Sequence, residues 1–148
     1  SNHPAWLAND ANSSWISVKP NGTDTISQGQ YIFETSFDLN GFVPGSAVLA
    51  GRFAADNLVD QIYINGVLVP EIGGGNFNVW TPFKITSGFV PGINTVSFLF
   101  TNLPPDGPGG FRLEMDGVAI RVPEPSSILL GSFGLVGLAY LVRKPRRR

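Results

Sequence analysis

The chain has 148 residues, no cysteine and a single histidine, His3. That length can bury a real core without covalent staples, while the missing thiols and imidazoles exclude disulfides, thiolate zinc sites, a cysteine nucleophile and multi-histidine metal centres, and they argue against a Ser-His-Asp triad. Charged residues are only 14% of the chain, and they are unevenly placed: residues 1–122 carry five basic and ten acidic groups, whereas residues 123–148 carry five basic groups against Glu124 alone, so an acidic body that would repel phosphate excludes nucleic acid as a partner.

Along residues 1–122, short runs of β-branched and aromatic residues alternate with clusters of Gly, Pro, Asn and Asp, and none holds a helical period for three turns. His3 lies near the chain end, and no role is predicted for it. A first strand is expected at Trp15–Val18. The next, Tyr31–Leu39, sets Tyr31, Phe33, Phe37 and Leu39 on one face against Glu34, Ser36 and Asp38 on the other. Ala47–Ala54 follows. Then comes a hairpin over Gln61–Val69, turned at Asn65-Gly66, a pair that supplies the positive φ angles of a tight turn. Trp80–Ile85 is a further strand. Asn94–Asn102 directs Val96, Phe98 and Phe100 inward, and the last strand opposes Phe111, Leu113 and Met115 to Arg112, Glu114 and Asp116. About eight strands at this spacing predict an all-β, two-sheet sandwich.

One pentapeptide occurs twice. Gly41-Phe-Val-Pro-Gly45 returns as Gly88-Phe-Val-Pro-Gly92, and the same offset pairs Leu49 with Val96 and Phe53 with Phe100. This points to a duplicated strand-turn-strand corner and falls short of a repeat array.

Candidate sites are few. Trp6, Trp15 and Trp80 have the apolar faces and N–H donors that stack on a sugar ring, and equally the bulk to fill a core. Asp56, Asn57 and Asp60 crowd the entry of a strand, where their oxygens suit either a structural calcium ion or the backbone groups of a loop. No other cofactor is expected. Asp56, Glu71 and Glu114 would serve a glycosidase in number, but the sequence sets no distance between any pair, so a non-enzymatic protein is expected. Gly73-Gly-Gly75 precedes no helix and is not a phosphate cradle. The loosest loops are Glu71–Gly75 and Pro104–Gly110.

The tail is a different object. Pro123, Glu124 and Pro125 end the β pattern, since proline continues neither a strand nor a helix interior. From Ser126 to Val142 no side chain ionises apart from the Tyr140 phenol, and the run is apolar on every face. As a helix it spans about 25 Å, the short end of what crosses a bilayer. Arg143, Lys144, Arg146, Arg147 and Arg148 close the chain. Such a basic cluster stays on the cytoplasmic side, leaving the body outside. The organisation is therefore a β domain over 1–122 and a tail over 123–148 with a single transmembrane helix at about 126–142. The chain opens at Ser1 without Met or an apolar leader, and an exported protein needs one, so a processed or truncated form is expected.

Val122-Pro123-Glu124-Pro125-Ser126-Ser127, the apolar run Ile128–Val142 and the arginine-rich end together resemble the PEP-CTERM sorting signal of Gram-negative bacteria. The resemblance implies an exosortase, a membrane transpeptidase-like enzyme, as partner. It implies recognition at Pro123-Glu124-Pro125, an inner-membrane precursor with its domain in the periplasm, and removal of the tail on the way to the cell surface or exterior of an exopolysaccharide-producing, biofilm-forming cell. Leu49–Asn57, Ile62–Gly66 and Gly92–Phe98 resemble the galactose-binding-like jelly roll, which implies that fold and, as the alternative function, carbohydrate binding to envelope polysaccharide.

Overall fold

The computed structural model describes residues 3–70 and 72–123. Among these residues nine strands run in chain order: β1 Thr25–Ile26, β2 Gly29–Asp38, β3 Val48–Asp56, β4 Leu58–Ile64, β5 Val67–Val69, β6 Thr81–Ile85, β7 Ile93–Asn102, β8 Gly107–Pro108 and β9 Gly110–Val118. The only helical element among the described residues is a single 3-10 turn at Pro44–Ser46. All pairings are antiparallel, in a four-stranded sheet β2-β7-β4-β5, a three-stranded sheet β6-β3-β9 and the small pair β1-β8. The predicted helix at about 126–142 lies outside the described residues, among which no helix is long and apolar enough to cross a membrane.

The alternation in the sequence explains how the two larger sheets meet. In β7 every second side chain (Asn94, Val96, Phe98, Phe100, Asn102) is buried, as a period of two requires of a strand with one face on a core. Phe98 meets Phe53 of β3, Phe83 of β6 and Phe111 of β9 at ring-centroid distances of 6.2, 5.6 and 5.0 Å. Phe33 of β2 stacks on Phe111 at 5.2 Å and 13°. An aromatic layer thus joins the sheets, with Val59, Ile62 and Ile64 completing it. Tyr31, Phe33 and Phe37 share the expected face of β2 but are only half-buried, because β2 is an edge strand.

The repeated pentapeptides precede β3 and β7, the central strands of the three-stranded sheet and of the β2-β7-β4 ladder. Gly41 and Gly88 both open their copies with the left-handed backbone, φ +77° and +87°, but the copies then diverge: Gly92 is left-handed again, whereas Gly45 lies in the 3-10 turn. The residues that the offset aligns, Leu49 with Val96 and Phe53 with Phe100, are all buried. Asn65 and Gly66, at φ 51° and 77°, make the expected hairpin turn between β4 and β5.

Two expectations need correction. Trp15–Val18 is not a strand: it contributes a single bridge, Ile16 with Phe111, closed by two backbone hydrogen bonds of 2.9 Å. Arg112 was expected on a solvated face of β9, yet it is 1% exposed. Its face of the sheet is covered by the N-terminal segment and Trp80, a covering that periodicity within β9 cannot reveal.

Strand direction gives the domain two ends, about 30 Å apart along ten residues of β7. At one end lie Asp38, Val48, Ile93 and Val118; at the other, Gly29, Asp56, Asn102 and Gly110. The chain leaves from the first, here termed the exit end.

Candidate functional site

The predicted site residues fall into three places. At the far end, the Trp6 indole is buried and donates from Nε1 to Asp56 Oδ2 at 2.7 Å. Trp15 packs on it with ring centroids 4.5 Å apart and donates its own Nε1–H to the Leu7 carbonyl at 2.7 Å. Gly110 makes room for this pair, since a Cβ there would lie 2.7 Å from the Trp6 ring and 3.2 Å from Trp15. Both indoles thus close the far end of the domain, with their donors already engaged.

Asp56 is held at the same place. Its Oδ1 accepts from Asn57 Nδ2 at 3.1 Å, and Asn57 Oδ1 accepts from the Leu103 amide at 2.6 Å. Asp60 instead accepts from Gln30 Nε2 at 3.2 Å and from the Thr101 hydroxyl. The three oxygen-bearing residues considered for calcium therefore have protein donors of their own. Among the described residues no group of three or more His, Cys, Asp or Glu could hold a metal ion.

Burial raises the Asp56 carboxyl above its ordinary range, against the lowering effect of the Trp6 hydrogen bond. Ionising Asp56 therefore costs the folded state more than the unfolded chain. That penalty is absent below the ordinary carboxylate range and grows as pH rises through the folded pKa. Asp56→Asn keeps an acceptor for Trp6 and cannot ionise. The difference in Tm, variant minus wild type, is expected to be more positive at pH 7 than at pH 4 in thermal melts. A difference unchanged between those pH values would rule out the buried charge as its source.

The third place is the outer face of the three-stranded sheet. The guanidinium carbons of Arg52 and Arg112 lie 4.5 and 4.8 Å from the centroid of the Trp80 ring, within cation–π reach. Arg112 is tied down on several sides: Nε donates to Ser13 Oγ at 2.8 Å, Nη1 to the Ala8 carbonyl, and Nη2 lies 2.8 Å from Asp10 Oδ2 and 3.6 Å from Glu114 Oε1. Nη2 meets those carboxylates as an ion pair, without hydrogen-bond alignment. Glu114 also accepts from Ser13 Oγ and from Arg52 Nε, each at 2.8 Å. These two contacts hold its carboxyl below the usual range. Asp10 is lowered chiefly by the amides of Asn12 and Ser13. The cluster straps the N-terminal segment to β9. Sequence reasoning missed Arg112, Asp10 and Ser13 in this role.

Glu71, Glu124, Pro125 and the basic residues Arg143, Lys144, Arg146, Arg147 and Arg148 lie outside the described residues. Pro123 is the last described residue. Just before it, the Val122 amide donates to the Gly41 carbonyl at 2.9 Å, Arg121 pairs with Phe42, and the Val43 amide donates to the Ile120 carbonyl at 2.8 Å. The chain is thus fastened to the first repeated loop up to the residue before the prolines.

Residues 121–148 match the model of the PEP-CTERM protein-sorting motif family. No curated protein matches the chain. The chain therefore couples a β-rich N-terminal domain to a PEP-CTERM motif, and that motif implies an exported protein sorted by an exosortase.

Proposed function

We propose that this is a non-enzymatic surface or extracellular-matrix protein, whose working form is the β domain after an exosortase has cut at Pro123-Glu124-Pro125. The observation that carries the reading is the seam between the two parts. The last strand ends at Val118, the last described backbone hydrogen bond is made by Val122, and the matched motif spans 121–148. A cut among the prolines severs no strand pairing and leaves the core whole. Before the cut, the arginines hold the C-terminus in the cytoplasm and the apolar run parks the protein in the inner membrane. The galactose-binding-like jelly roll is our reading of the facing antiparallel sheets. A polysaccharide-binding role has less support, because Trp6 and Trp15 cover each other and Trp80 lies against two guanidinium groups.

The test is the intact mass of the protein recovered from the surface or extracellular fraction of its native host. A species ending near Pro125, without the apolar run or the arginines, is expected. A species that keeps Arg148 and fractionates with the inner membrane would overturn the reading in favour of a plain anchor.

A further inference from the structure

The exit end carries an apolar cleft of about 330 Å³ between the sheets, walled by Phe37, Leu39, Phe42, Leu49, Phe89 and Met115. Phe42 and Phe89 are the phenylalanines of the two repeated pentapeptides, and Phe37 packs edge-on against Phe89 at 6.1 Å. Around this cleft the surface is rich in exposed aliphatic side chains. Val43, Val90, Ile93, Val118, Ile120 and Val122 are between 40% and 71% exposed. Contacts gather them at one end: Val43 bonds to Ile120, Val122 to Gly41, and Leu39 to Gly92 through their backbones. Val48 pairs with Val118, and Ile93 with Asp38. An exposed apolar concentration of this kind marks an interaction surface.

Its position says which. The chain departs from this same end, and five residues, 123–127, separate it from the apolar run that begins at Ile128. Fully extended, five residues reach at most about 18 Å. Taken with the membrane insertion argued under Proposed function, on which this inference rests, the exit end is confined to the bilayer surface. The short tether raises the local concentration of lipid at the patch to on the order of millimolar or more. We infer that the exit end, with both Gly-Phe-Val-Pro-Gly loops, docks on the lipid interface while the tail is attached, so that the precursor stands upright with its far end toward the periplasm. Asp38 and Asp116 line the cleft and outnumber the one cation beside it, Arg121 over Phe42, so the attraction is apolar burial and not charge pairing with anionic headgroups. It needs the tether, and cutting the tail releases the domain from the surface.

The chain has no cysteine, which makes a direct test clean. Full-length protein is reconstituted into phosphatidylcholine vesicles with one nitroxide label each at V43C, V90C, I120C or, on the exposed Leu103 of the far end, L103C. Co-flotation with the vesicles is measured first, then the label's accessibility to oxygen and to a water-soluble nickel chelate. The expected result is a severalfold higher oxygen-to-nickel ratio at the three exit-end labels than at L103C. Equal, water-like ratios at all four positions in protein that floats would overturn the docking while leaving the anchor intact. Dipolar broadening between exit-end labels, without lipid contact, would overturn it in favour of a second copy as the occupant. Protein that fails to float would remove the anchoring reading, and the docking with it.

Discussion

Phe98→Ala is expected to remove about 3–5 kcal/mol of folding free energy, the cost typical of truncating a buried phenylalanine. Phe98 is 1% exposed and sits where β3, β6 and β9 face β7, touching Phe53, Phe83 and Phe111. No neighbour can move in without unseating an aromatic ring held by the opposite sheet, so the cavity stays open. Against a typical total stability of about 5–15 kcal/mol, the variant should melt about 10 °C lower or more. Urea and thermal unfolding measure this directly. Phe37→Ala, on a half-buried edge-strand position, should cost clearly less. Equal losses at the two positions would show that the aromatic layer is not the centre of the fold.

Arg112→Leu should cost about 1–3 kcal/mol, the range for leaving buried hydrogen-bonding groups without a partner. The carboxylates add little, because the Asp10 side chain is 49% exposed and regains water once released. Leucine would fill part of the volume, but it leaves the Ala8 carbonyl and the Ser13 hydroxyl oxygen without the donors that Arg112 supplies, and Asp10 without its cation. The distinguishing readout is local. Residues 8–13 should become sensitive to limited proteolysis under conditions where the core strands stay protected. Arg112→Lys should not restore protection, since an ammonium cannot address Ser13, Ala8 and Asp10 together while lying flat against Trp80. Unchanged protease resistance in Arg112→Leu would mean that the segment is held by its other contacts, such as the Ile16–Phe111 bridge.

The sandwich-like strand pattern was legible because apolar and polar residues alternate along β7 and β2, and a period of two admits one burial pattern. The hairpin at Asn65-Gly66 was legible because only a few residue pairs accept two positive φ angles in succession. Arg112 was not, because a charged residue at an outward position carries no mark of what covers it, and its cover begins about a hundred residues earlier in a segment without periodicity. Trp15 misled for a related reason: β-branched and aromatic neighbours favour a strand, but only Ile16 finds a partner on β9. The sorting motif was legible since its order, composition and position are all local in sequence. The exit-end cleft was half legible. The repeated pentapeptide was visible, but its two copies meet only because they feed strands in facing sheets. The residues weighed for calcium cluster in sequence, yet Asp56 turns to Trp6 while Asp60 turns to Gln30 and Thr101.

The path by which the chain leaves has a mechanical meaning. β9 runs from the far end to the exit end and is zipped to β3 over nine residue pairs, Val48–Val118 to Asp56–Gly110. A protein tethered by its tail and gripped at the far end is pulled along the axis of that strand. The ladder is then loaded in shear, all its hydrogen bonds sharing the force at once, and not peeled open one bond at a time. The strap of Arg112 on Asp10 and Ser13 adds a second fastening to the same strand near the far end. The strand that carries the tail is thus oriented to resist extraction for as long as the tail is attached.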